Sequence, residues 1–257
     1  MNFTLVFLIG SGGQLLDGMM GMGFGVFSAS LLLAAGFPPL SVVPTVNMAK
    51  IITGLLSGIA HWRAGNVRRD WLAPCLVPGV IGGIFGAYLF ASVSQEKFRF
   101  WMALVLVCMG VLMLWRAFFT IPEYIRSVPA IRSRPIRRFV LGTLGLTAGL
   151  LNSASGAYGP FATSAVMVAS EARPSEVVGT VNFAEFFVAS AVVGTFLAQG
   201  GVSNFSVSLA LALTLGGAIT APLAAHACRR LPPRALQLGV GLALIGLNLR
   251  VVVSSIS

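Results

Sequence analysis

Thr45-Val46-Asn47-Met48-Ala49-Lys50 returns 135 residues later as Thr180-Val181-Asn182-Phe183-Ala184-Glu185, and both copies lie inside long apolar runs. A chain that repeats itself at this period folds as two related units. Each unit sets an amide and an ionisable side chain three residues apart within an apolar helix, where charge is costly and marks function. Matched polar positions in the two halves of a hydrophobic chain point to a transporter's substrate site. The register extends beyond the tract: Gly10 falls on Gly145, Leu15-Leu16 on Leu150-Leu151, Asp17 on Asn152, Gly21 on Gly156 and Pro39 on Pro174. With small loop shifts, Gly82-Gly83 meets Gly216-Gly217 and Gly110 meets Gly246.

The apolar runs fix the solvent. Hydrophobic residues make up 56% of the chain and charged residues 9%, too few to cover a water-facing surface. Repeated stretches able to cross ~30 Å of hydrocarbon predict an all-α, polytopic helical membrane protein. Apolar segments are read at 3–17, 21–36, 44–61, 72–92 and 98–119, then at 137–151, 157–169, 177–198, 205–226 and 233–253. Residues 1–125 form the first repeat, 126–136 a basic linker and 137–257 the second repeat.

The opening stretch of each half decides the topology. Residues 3–36 as one helix would run roughly 50 Å, longer than one span needs. The middle also breaks, at Gly18-Met19-Met20-Gly21-Met22-Gly23-Phe24-Gly25 and at Asn152-Ser153-Ala154-Ser155-Gly156-Ala157-Tyr158-Gly159-Pro160. Glycine clusters and an internal proline weaken helices and free backbone groups. Counted as single crossings, these stretches give eight long spans; counted as hairpins, they give ten segments. The hairpin reading gathers thirteen of the sixteen loop cations on one side, leaving Lys97, Arg99 and Arg250 on the other. Single crossings divide the same residues ten against six. The positive-inside rule therefore favours hairpins, inverted repeats, cytoplasmic basic loops and both termini in the periplasm.

That rule also accounts for the net charge of +10, so no nucleic-acid partner is expected. The sequence from Met1 to Leu5 lacks a basic signal-peptide region, and the first apolar segment is expected to stay. Cys75, Cys108 and Cys228 stand apart without ligand or redox spacing, so neither a metal nor any other cofactor is expected. His61 and His226 do not correspond between repeats and read as interfacial or structural. Trp62, Trp71 and Trp101 fall at span ends and read as interface anchors.

Lys50 has no nearby loop to which its ammonium could reach. A buried ammonium needs a partner, a wet cavity or an anionic ligand. Two readings stand: a Lys50–Glu185 pair joining the repeats, or Lys50 as counter-charge for an anion, with Glu185 neutralising it when empty or titrating during the cycle. Asn47 and Asn182 share a helix face with these charges, suited to an oxyanion or to a contact across helices. The broken segments supply free N–H groups and positive helix ends at Gly21, Gly23 and Gly156, joined by Ser153, Ser155 and Tyr158 in the second copy. The alternative is that these glycines only let helices pack closely. Asp17 reads as a cap on the short helix after it, with proton carriage beside Glu185 as the alternative.

These motifs resemble the sulfite exporter TauE/SafE family, also called the TSUP permeases. The likeness is carried by Gly21-Met22-Gly23-Phe24-Gly25, Gly36-Phe37-Pro38-Pro39, Thr45-Val46-Asn47, Gly58-Ile59-Ala60-His61-Trp62-Arg63-Ala64-Gly65-Asn66-Val67, Pro78-Gly79-Val80-Ile81-Gly82-Gly83-Ile84-Phe85-Gly86-Ala87 and Gly179-Thr180-Val181-Asn182-Phe183. The resemblance implies a carrier in the bacterial plasma (inner) membrane for small sulfur oxyanions or organosulfonates, and not an enzyme. The expected partners are that substrate and the lipid bilayer; oligomeric state is left open. An exporter working by alternating access is the leading reading. A cation or metal permease using Asp17 and Glu185, or a membrane-embedded structural subunit, is the alternative.

Overall fold

The computed structural model describes residues 3–20, 23–119, 133–169, 172–200, 206–227 and 233–255. Its regular structure is helical throughout these residues. The first half contains α1 (Phe3–Met20), α2 (Phe24–Ala34), α3 (Pro39–Arg63), α4 (Arg69–Ser92) and α5 (Gln95–Phe119). The second contains α6 (Arg134–Ser155), α7 (Tyr158–Ala169), α8 (Pro174–Gly200), α9 (Val207–Ala227) and α10 (Pro233–Ser254). Five of them, α3, α4, α5, α8 and α10, are long and apolar enough to cross a bilayer. Leu8, Leu56, Phe85, Phe118, Ile219 and Leu242 project outward and exposed, as a lipid-facing surface requires. Of the stretch read as a linker, residues 126–132 lie outside the described residues, and α6 already begins at Arg134.

Both opening stretches are interrupted. In the first, Asp17, still within α1, accepts the Phe24 N–H at 3.3 Å through Oδ1, while Gly23 rather than Asp17 holds the N-cap position of α2. α2 then folds back on α1, so that a Cβ on Gly13 would meet Phe24 and Ser28. In the second, Gly156 ends α6 in the left-handed conformation (φ 74°) that favours glycine, its N–H bonded to Asn152 O at 2.7 Å.

The halves interlock rather than stand side by side. α1 packs on α9, and its repeat counterpart α6 packs on α4; α3 meets α8 and α5 meets α10. Small residues make this possible. Gly10 lies against the backbone of Leu213 and its repeat mate Gly145 against that of Cys75. Gly82 abuts the carbonyl of Leu146, while Gly216 abuts that of Phe7. Along the α3–α8 contact, Gly54 faces Phe186 and Gly58 faces Phe183, so the two helices run antiparallel. Gly110 packs on Gly241 between α5 and α10, whereas nothing stands near the site of a Cβ on Gly246, its expected repeat mate.

Two side chains assigned to the membrane surface are internal. Trp71 is buried, with Arg68 stacked over its ring at 4.5 Å, while Trp62 and Trp101 are exposed as expected. Arg116, counted among the loop charges, is buried between α5 and α7 and donates to Ser164 Oγ at 3.0 Å. Across the molecule, Asn248 on α10 donates to Ser30 Oγ on α2 at 2.8 Å. The last helix of each half thus holds the short helix of the other.

Candidate functional site

Lys50 sits on the inward face of α3 with Val46, Asn47 and Ala49, all buried. Its ammonium donates to Asn152 Oδ1 and to Gly156 O, each at 2.9 Å, and pairs with Glu185 Oε1 at 2.5 Å. An ammonium has three hydrogens, and here each has an acceptor. The network continues: Asn152 Nδ2 donates to Asn47 Oδ1 at 2.7 Å, and Asn47 Nδ2 donates to Val43 O at 2.9 Å. Burying a lone ammonium would cost several kcal/mol. The carboxylate and two carbonyl-type oxygens offset that cost.

The two interruptions converge on this ammonium. Gly25, in the first turn of α2, touches Gly156 backbone to backbone, and a Cβ there would also stand 3.2 Å from Lys50 Nζ. The Glu185 carboxylate lies beside Gly159 in the first turn of α7, with Oε2 3.4 Å from the site of a Cβ. A carboxylate is favoured at the positive end of a helix dipole.

Lys50 and Glu185 line a cavity of about 290 Å³ that extends along α3 to His61 and along α8 to Val178. That is space for roughly ten waters at ~30 Å³ each. Helical periodicity builds its walls. Lys50, Thr53, Gly54, Ser57 and His61 form one stripe of α3; Val178, Asn182 and Glu185 form one of α8; Gln14 and Asp17 share a face of α1.

Of the residues singled out from the sequence, Asp17, Gly23, Lys50, Gly156, Asn182 and Glu185 line the cavity. Asn182 donates to Ser57 Oγ at 3.2 Å. Asn47 is wholly buried behind Asn152. Ser153, Ser155 and Tyr158 are not brought to the cavity. Ser153 donates to Gly83 O at 2.6 Å, Ser155 bonds back to Leu151 O at 3.2 Å, and Tyr158 is buried near Gly79. Gly21 lies outside the described residues. The reason is helical phase: α6 continues to Ser155, which turns Asn152 and Gly156 toward Lys50 and Ser153 toward α4. Asn152 was missed as a site residue, though its register with Asp17 marked it. The α3 stripe was also missed; a count of polar residues at spacings of three and four from Lys50 would have found it. Among the described residues no three His, Cys, Asp or Glu side chains group as metal ligands.

The family description "Sulfite exporter TauE/SafE" matches residues 6–251, nearly the whole chain. The chain belongs to the sulfite exporter TauE/SafE family. It is also 31% identical over 258 residues to "Probable membrane transporter protein YtnM" of Bacillus subtilis (strain 168), an alignment covering 99% of this chain and 84% of the relative. No solved structure matches it. This TauE/SafE member is thus a multi-pass membrane transporter, and the cavity ending at Lys50 is its candidate substrate site.

Proposed function

We propose that this TauE/SafE protein exports a small sulfur-containing anion, sulfite or a short organosulfonate, across the bacterial inner membrane by alternating access. The observation that carries this reading is the Lys50 ammonium at the inner end of the cavity, held by Glu185. A substrate oxyanion entering the cavity takes the place of the Glu185 carboxylate as the third partner of Lys50. Asn182 and Ser57 offer further polar contacts along its path. Inverted repeats are supported by the antiparallel crossing of the corresponding helices α3 and α8, since a twofold axis in the membrane plane reverses each helix it copies. The cavity extends toward Arg63 and Arg173, the cationic side that the positive-inside rule assigns to the cytoplasm. The conformation then faces inward, with both termini periplasmic.

The test is flux of radiolabelled sulfite in proteoliposomes. Lys50→Ala abolishes it while the protein still inserts and purifies; undiminished flux removes Lys50 from the mechanism. Parallel assays with short sulfonates and divalent metals separate an anion carrier from a cation permease, because metal uptake without anion flux overturns the proposal.

A further inference from the structure

The two repeats are caught in unequal arrangements, and the inequality carries information about the conformation not seen. This argument rests on the alternating-access reading above. Around the break between α6 and α7, Val43, Asn47 and Asn152 are sealed, each at most 1% exposed. Their mates at the 135-residue offset are Val178, Asn182 and Asp17, and all three line the cavity. The relation also runs the other way: Thr53 and Ser57 line the cavity, whereas their mates Val188 and Val192 are fully buried. The second hairpin is therefore docked on α3 at its break, whereas the break of the first stands off from α8 across the cavity.

We infer that the second conformation exchanges these contacts, docking Asp17 onto Asn182 and Glu185 so that the two carboxyl groups share one proton. The exchange follows pair by pair. Asn47 to Asn152, bonded at 2.7 Å, maps onto Asn182 to Asp17. Lys50 to Asn152, bonded at 2.9 Å, maps onto Glu185 to Asp17. The docked repeat joins an ammonium to an amide and needs nothing more. The undocked one must join two carboxylates, which have no hydrogen to donate and repel each other when both are ionised. A proton taken up from the bulk solution through the cavity supplies the missing donor. Closure of this side is thereby tied to protonation. The ionisable groups that share the cavity with Asp17 are Lys50 and His61 on α3 and Glu185 on α8. α2 brings no ionisable side chain, nor does α9 from Val207 to Thr220, and α10 brings Arg234 and Arg250 at its exposed ends.

The experiment reads closure without any substrate, so its failure is distinct from a failure of sulfite flux. Val178→Cys is placed in a chain whose Cys75, Cys108 and Cys228 are replaced by serine, and maleimide labelling is followed in nanodiscs. Rates are divided by those of the exposed Ala64→Cys at the same pH, which removes the pH dependence of the thiol itself. The expected result is a normalised rate that falls about fivefold from about pH 8 to about pH 5. Asp17→Asn gives a slow rate at both pH values, because its amide can donate to Glu185 with no added proton. A normalised rate indifferent to pH, or a pH response that survives Asp17→Asn, overturns the inference. A second variant tests the docking alone: Asp17→Cys with Asn182→Cys in the same background forms a disulfide under oxidant, which requires Cα atoms within about 7 Å. Failure to cross-link overturns the proposed contact.

Discussion

Lys50 and Asn152 are 102 residues apart in the chain, yet the lysine ammonium donates to the asparagine carbonyl at 2.9 Å in the centre of the protein. The same amide donates onward to Asn47 at 2.7 Å, so one side chain fixes both a charge and the helix that carries it. Asn152→Ala removes an acceptor from a buried ammonium and a donor from a buried carbonyl. The expected loss is about 2–4 kcal/mol, read as reduced thermal stability of the purified protein. A variant as stable as the parent would show that the network contributes little.

Glu185→Gln and Lys50→Gln each strand one buried charge. Either alone should destabilise by about 3–5 kcal/mol, whereas the double variant should cost clearly less than the sum. A double-mutant cycle on unfolding midpoints measures this coupling, and additive losses would rule out a buried pair that matters energetically.

Glycine substitutions divide sharply by position. Gly82→Ala and Gly216→Ala force a methyl into a neighbouring helix's carbonyl and should each cost about 1–3 kcal/mol or more. Gly194→Ala meets no atom within 4 Å inside α8 and should stabilise by up to about 1 kcal/mol through helix propensity. Equal responses at the two kinds of site would contradict the packing described.

Asp70 lies at the start of α4, 3.3 Å from Arg68 and 3.6 Å from Arg137, and is 46% exposed. Solvent and salt screen such pairs, so Asp70→Asn should change stability by less than about 1 kcal/mol. A large drop in melting temperature would mean that this loop holds α4 and α6 together more firmly than its exposure allows.

Much of this architecture could be read from residue order. The 135-residue register placed Lys50 and Glu185 at equivalent positions, and the glycine clusters located both helix interruptions within a few residues. What escaped depends on phase and partner. The second interruption was placed across residues 152–160, but α6 runs on to Ser155 within that stretch, and the extra turn rotates two serines away from the cavity. Composition cannot reveal such a rotation, since either phase leaves an apolar helix with a polar end. Arg116 escaped for another reason: a cation near the end of an apolar run looks like a loop charge until Ser164 of a distant segment is seen against it. His61 read as interfacial or structural because it has no counterpart in the second repeat, yet it shares a cavity-lining face of α3 with Lys50.

The glycine seams have a mechanical consequence. Where Gly10 and Gly216 bring α1 against α9, and Gly82 and Gly145 bring α4 against α6, backbone meets backbone with no side chain to act as a cushion. Separating such surfaces would open voids along their length, so each pair behaves as a single lever. Each lever takes one helix from each half of the chain. On the alternating-access proposal, the hinges consequently lie elsewhere than at the joint between the two halves of the sequence, and a cut at that joint would not release two independently swinging parts.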